Sequence, residues 1–266
     1  MRSFLLFITH LYSSKAVIME LVKRDIQQKY MGSYLGLVWI FLQPLIFISI
    51  LYFVFTFGLR VANEVGVPFS VYLVSGIVAW LYFAENFGST TYAISEYAFL
   101  VKRVDFRLSI LPVVKIISSL VPHFFLVMLA LTVAAFEGFH PTLYTLQLLY
   151  YLFALSVLVL GLGWLTSSTS LFVKDVANVV NVLVQFGFWI TPVFWNINII
   201  PEKYRWVIKL NPIDYIVTGY RDSIVGGIPF WEHVSETIYF WTVTSLLLLT
   251  GAIIFKRLRP HFAEVI

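Results

Sequence analysis

Residues 30–59 carry no charged side chain at all, in an interval bounded by Lys29 and Arg60. A helix needs about 20 apolar residues to cross the hydrocarbon core of a bilayer, and this interval is long enough to do so. Similar intervals run from Glu64 to Glu85, Lys115 to Glu137, Glu137 to Lys174, Asp175 to near Trp195, and Glu236 to Lys256. Composition supports lipid as the surrounding medium. The chain is 60% hydrophobic and only 12% charged, whereas soluble domains are about 25% charged. Too little polar surface is left to face water on every side. The expected architecture is all-α and integral to the membrane, with six transmembrane helices near 34–59, 66–88, 113–136, 143–171, 176–196 and 235–256. No polar stretch is long enough for a separate soluble core, so 1–266 reads as a single transmembrane domain.

Lysine and arginine favour the cytoplasmic flanks of spans. With both termini in the cytoplasm, only Arg60, Lys203, Arg205, Lys209 and Arg221 fall outside, and the other thirteen of the 18 basic residues fall inside. This placement accounts for the net charge of +4 without invoking nucleic acid. The sequence has no cysteine, which excludes disulfides and thiol chemistry. His10, His123, His140, His233 and His261 are scattered, so no metal site is expected. No glycine-rich phosphate loop ending in Lys-Ser or Lys-Thr is present, and no internal repeat relates the two halves.

Three segments fall outside the spans. Residues 14–31 place Ile18, Leu21, Val22, Ile26 and Tyr30 on one helical stripe, with Lys23, Arg24, Gln27 and Lys29 over much of the rest. Such a helix lies in the membrane interface, either as a topogenic flank or as a docking surface for a cytoplasmic subunit. Residues 96–110 mix Phe99, Leu100, Val104 and Phe106 with Lys102, Arg103, Asp105 and Arg107. That mixture fits a short helix docking into a cleft on another protein, with a solvated loop as the plainer reading. In 199–228, a short helix begins at Pro201. A second starts at Asn211-Pro212 and stops at Gly226-Gly227, with Ile213, Ile216, Val217, Tyr220 and Ile224 on its apolar face. Both are too short to cross, which suits a re-entrant or interfacial pair on the outer face.

Glu85 and Glu137 sit near span ends with no charged partner at helix spacing, so a proton-coupling role rests on interface-accessible carboxylates. Trp39, Phe41, Phe186, Phe188, Trp189, Phe194 and Trp195 gather on only two spans. Aromatic faces along a conduit suit sugar rings, although packing and interface belts account for many aromatics.

The stretch LVKRDIQQKYMGSYLGLVWIFLQPL resembles the N-terminal signature of the type-2 ABC exporter membrane subunits for polysaccharides, through Arg24, Asp25, Tyr30, Ser33, Leu35, Gly36, Trp39 and Pro44. LVKRVDFRLSILP and NPIDYIVTGYRDSIVGG resemble the same family, and together the motifs cover nearly the whole chain in order. One departure is Arg107, where the family often has proline after the loop phenylalanine. The resemblance implies a homodimer in a bacterial inner membrane, paired with two copies of a separate ATPase subunit that binds ATP and Mg, with no cofactor in this chain. The implied cargo is a lipid-linked polysaccharide such as O antigen or teichoic acid, moved from the cytoplasmic to the outer side.

The residues implied to couple to the ATPase are Lys23, Arg24, Asp25, Lys29 and Tyr30, together with Glu96, Lys102, Arg103, Asp105, Phe106 and Arg107. Conduit candidates are Trp39, Phe41, Phe186, Trp189 and Trp195, and outer-gate candidates are Asn211, Pro212, Tyr215, Tyr220, Arg221 and Asp222. The competing readings are an exporter of drugs or lipids, an integral membrane enzyme that modifies glycans, and a proton-coupled carrier using Glu85 or Glu137.

Overall fold

A computed structural model of the chain describes Thr9, Leu11 and residues 13–30, 34–60, 66–101 and 106–265. The regular elements of these residues are all helices. The first, α1 (Lys15–Tyr30), precedes α2 (Trp39–Phe53), which continues as a wider turn through Val54–Gly58. Then come α3 (Phe69–Thr91), α4 (Leu111–Ser118) and α5 (Leu120–Phe136), the last two joined through Ser119 into one apolar rod. The chain continues with α6 (Gln147–Ser170) and α7 (Asp175–Ile190), followed by two short helices, α8 (Glu202–Lys209) and α9 (Pro212–Val225). The long α10 (Val234–Leu258) comes next.

Five helical rods are long and apolar enough to cross a membrane: Trp39–Gly58, Phe69–Thr91, Leu108–Phe136, Leu143–Ser170 and Val234–Val265. The sixth expected span differs. Its helix, α7, has 16 residues, or about 24 Å at 1.5 Å per residue, against the roughly 30 Å of a hydrocarbon core. The apolar run continues past Ile190, but Pro192 lacks the N–H a helix would use there, and the extended Thr191 ends the helix. Within the expected loop helix at 96–110, short turns cover Ala98–Val101 and Leu108–Ile110, and residues 102–105 lie outside the described residues.

The spans alternate in direction, which gives the bundle two ends. The α1 end gathers Glu85, Glu96, Lys115 and Ser118, and the opposite end holds Ser70 bonded to Glu137 at 2.8 Å. Burial separates the rods sharply: 72% of the most apolar window of α3 is buried, against 17% for α2. The α3 rod is therefore the internal post, while α2 turns its apolar surface outward to lipid or to another chain. The α6 and α10 rods meet backbone to backbone. A Cβ on Gly251 would overlap the carbonyl of Gly161, and one on Gly161 would lie 2.8 Å from the amide of Leu248. Small residues allow that approach in lipid, where close packing replaces hydrophobic drive.

Candidate functional site

The α1 stripe contains a charge where apolar residues are expected. On a helical projection Asp25 falls between Leu21 and Ile18, with Val22 and Ile26 beyond, in the middle of the buried face. Its carboxylate is buried and accepts hydrogen bonds from the Lys115 ammonium and from Ser118 Oγ at 2.5 Å, with Tyr97 Oη at 3.5 Å. Lys115 is equally buried and also donates to Glu96, whose side chain remains exposed. Burial, then the nearby Asp25 and Glu96 carboxylates, holds the Tyr97 hydroxyl above its ordinary range, so it stays a donor. Lys29 bonds Glu85 at 2.6 Å and lies 3.9 Å from Asp25. Arg24 stands 4.9 Å over the Phe99 ring. Together these contacts form a joint that fixes α1 to α3, to the turn after it and to α4.

Around this joint Lys23 and Arg107 are exposed and Phe106 is half-buried against the apolar cluster beneath α1. Lys102, Arg103, Asp105 and the side chain of Tyr30 lie outside the described residues. Lys29 lies on the exposed side of α1, as its place in the helix predicts, and reaches Glu85 there. The same contact supplies the carboxylate of Glu85 with the charged partner that helix spacing did not reveal.

At the opposite end, Asn211 caps α9 by accepting from the amide of Ile213 and donates to Thr191 Oγ1 at 2.8 Å, with Pro212 at the first helical position. The apolar face of Ile213, Ile216, Val217, Tyr220 and Ile224 is buried as its spacing requires, but so are Tyr215, Gly219 and Ser223. The opposite face, with Asp214, Thr218, Arg221 and Asp222, is half-buried. Gly219 is needed because a Cβ there would overlap the ring of Tyr151. Tyr220 bonds His123 Nε2 at 3.0 Å deep in the core, and Tyr215 meets Thr237 at 2.9 Å and Tyr150 at 3.0 Å.

Arg221 stacks on Tyr72 at 3.7 Å and donates to the carbonyls of Pro192 and Val193, both at 2.6 Å. Asp222 pairs with His233 at 2.9 Å, and Lys209 with Glu236 at 3.0 Å. A cavity of about 330 Å³ opens among Tyr72, Asn196, Asp214, Thr218, Arg221 and Glu236. Burial pushes the Asp214 carboxyl up to about 6, against the opposing pull of Arg221 and Lys209. Burial likewise raises Asp222, with His233 and Arg221 opposing.

The aromatic candidates divide between two environments. Phe41 packs on Phe125 at 4.5 Å, and Trp195 donates to the carbonyl of Trp189 at 3.1 Å, so both are partly enclosed. Trp39, Phe186 and Trp189 are exposed. On α7, Phe186 and Trp189 share an exposed face with Asn178, Asn181 and Gln185. Carboxamides facing lipid would be left unpaired, so this mixed face suits another chain or a polar passage. Among the described residues no cluster of acidic or histidine side chains could hold a metal ion.

The model for ABC-2 type transporters matches residues 16–225, a stretch that includes α1, the joint and α9. The chain belongs to the ABC-2 type transporter family. It is thus a transporter membrane subunit with several apolar helices. Two proteins of Klebsiella pneumoniae, each named O-antigen export system permease protein RfbA, are 26% identical over 253 residues and 23% identical over 258; both alignments cover 94% of this chain and 95% of the relative. A protein of the same name from Myxococcus xanthus is 26% identical over 270 residues, covering 97% of this chain and 98% of the relative.

Three features of this ABC-2 chain go beyond the sequence expectations. Lys115 counts there among the topogenic charges, yet it interrupts the apolar run VVKIIS and needs a buried counter-charge. The signal for Asp25 is its place in the apolar stripe. The signal for the α7 face is three carboxamides at i, i+3 and i+7 within an apolar segment.

Proposed function

We propose that this chain is the membrane subunit of an ATP-driven exporter that moves lipid-linked, O-antigen-like polysaccharide from the cytoplasmic to the outer side of a bacterial inner membrane. Two copies form the transmembrane unit, and two copies of a separate ATPase subunit bind the nucleotide and Mg. The observation that carries this reading is the likeness to O-antigen export permeases along 94% of the chain. The α1 end supports it: a basic surface with Lys23 and Arg107 exposed sits above the Asp25–Lys115–Glu96 joint. An ATPase pressing there would move α1, α3 and α4 together rather than bend α1 alone. Lys102, Arg103 and Asp105 extend that docking surface, and both termini lie on its side of the membrane.

In this reading α7, with the segment up to Trp195, makes the sixth crossing. Two such helices face each other in the dimer, and Asn178, Asn181, Gln185, Phe186 and Trp189 line the passage, the carboxamides meeting hydroxyls and the rings meeting sugar C–H faces. The α8–α9 pair closes the exit.

The test is reconstitution of the complex with its ATPase in vesicles. Lipid-linked polysaccharide should stimulate hydrolysis and appear on the far side. Stimulation by hydrophobic drugs but not by lipid-linked glycan would replace this cargo with the drug-exporter alternative. Reversing Lys102 and Arg103 to Glu should weaken ATPase association or cargo-stimulated hydrolysis, and unchanged values for both would remove the docking assignment.

A further inference from the structure

A second cavity, of about 320 Å³, lies between α2, α3 and α5, away from the α7 face and from the α8–α9 end. Its lining is ordered along the bundle. At the α1 end stand Glu85 and Ser119; one turn deeper stands His123; deeper still the wall is Phe47, Leu81 and Leu126. From Ser119 to Leu126 along α5 is about 10 Å at 1.5 Å per residue. The site is therefore amphipathic in one direction, polar at the level of the α1 joint and apolar toward the bilayer centre. Its volume is at the low end for ligand sites, which run from about 300 to 1,000 Å³, so it suits a single chain rather than several sugar rings.

Two further observations narrow the occupant. Glu85 lines the mouth and is bonded to Lys29 just outside the lining, so a negative and a positive group stand side by side at the entrance. An anionic head without an amine would meet the carboxylate unfavourably, and a quaternary ammonium has no N–H to give it. A phosphate paired with a primary ammonium matches both groups. Below the rim, His123 is 3% exposed, and its Nδ1 has no hydrogen-bond partner, while Nε2 faces Tyr220. Leaving such a group unsatisfied in a buried site is unfavourable. With Tyr220 donating to Nε2, Nδ1 carries the proton and can donate to an ester carbonyl.

We propose that this cavity holds one acyl chain of a bilayer phospholipid with a primary-amine headgroup, its phosphate at Lys29, its ammonium at Glu85 and an ester carbonyl at His123. The lipid is a resident part of the transporter's wall, distinct from the cargo passage. This inference does not depend on which cargo is exported.

The test uses the full chain in vesicles containing phosphatidylethanolamine with a photoactivatable group on its acyl chain. Labelled residues are mapped by peptide mass spectrometry. The label should concentrate on Phe47, Leu81 and Leu126 over Phe124 and Met128, which face outward on α5. Unlabelled phosphatidylethanolamine should compete, while phosphatidylcholine and phosphatidylglycerol should not. Leu126→Trp should abolish labelling at Phe47 and Leu81 but leave Phe124 labelled, which also reports that the variant is folded. Glu85→Gln, a change at an exposed side chain, should weaken the headgroup preference about tenfold, as for one lost charge-assisted hydrogen bond. Even labelling of cavity and outer faces, or equal competition by all three lipids, overturns the proposal. Displacement by a lipid-linked glycan but not by phosphatidylethanolamine would overturn it too and give the cavity to the cargo.

Discussion

At the α1 end, Lys115 meets Asp25 and Glu96 with two of the three side chains almost wholly out of solvent, whereas at the opposite end Arg221 gives its donors to the carbonyls of Pro192 and Val193. The first arrangement sets charge against charge in a low-dielectric setting, where breaking one side strands the other. The second sets charge against backbone dipoles, and its carboxylates stay half-buried around a cavity, where Asp214 titrates near pH 6. A joint of the first kind holds one geometry. A surface of the second kind can rearrange its side chains at smaller cost.

Four experiments would break or sharpen that contrast. Lys115→Met should have the largest effect, because it takes the nearest ammonium from buried Asp25 and leaves it only Ser118, Tyr97 and the more distant Lys29. A loss of about 3–5 kcal/mol is expected, read as a fall in thermal midpoint in detergent and in folded yield. Adding Asp25→Asn to that variant should recover part of the loss. A double variant no better than Lys115→Met would show that the pair is not the source of the stability.

Arg221→Ala should cost less, about 1.5–3 kcal/mol for its charged hydrogen bonds, and should show first as protease access to residues 191–200. Equal losses at Arg221 and Lys115 would erase the difference between the two ends.

Asp214→Asn should stabilise at neutral pH by about 1 kcal/mol, discounted for partial exposure. The sign follows from its raised folded-state value, about 6 against 3.8. The folded state holds the proton more tightly, so stability falls as pH rises from 3.8 to about 6 and levels off above. Arg221, Lys209 and Glu236 face this carboxylate, and the Asp222–His233 pair stands nearby. The Asn variant should flatten thermal midpoints across that pH range, and an unchanged slope would assign it to the neighbouring pair.

Smallest in stability is Lys23→Glu, an exposed change worth less than about 0.5 kcal/mol. Its expected consequence is weaker association with the ATPase subunit, measured by pull-down from membranes. Normal association would restrict docking to residues 96–110.

Much of this organisation is legible in the chain itself. Charge-free intervals mark the long rods, because a charge within hydrocarbon is costly and evident in one dimension. Asn211-Pro212 and Gly226 bound α9 because caps are local chemistry. The α7 helix departs from its interval, since Pro192 interrupts an apolar run that hydropathy alone reads as continuous. The joint is harder to read. Asp25 and Lys115 are 90 residues apart, and each by itself resembles a flank charge. The Lys29–Glu85 pair, 56 residues apart, is hidden in the same way.

The sequence by itself determined that the chain is built of long apolar helices suited to a membrane, and that α1 and α9 are helices of another kind. These properties depend on local composition, periodicity and capping. Only the tertiary structure decided which charges are buried together, that Tyr215, Gly219 and Ser223 of α9 are buried along with its apolar face, and that α3 is internal while α2 faces outward. Those outcomes depend on which helices meet, and such meetings between distant segments leave no periodic trace in either one.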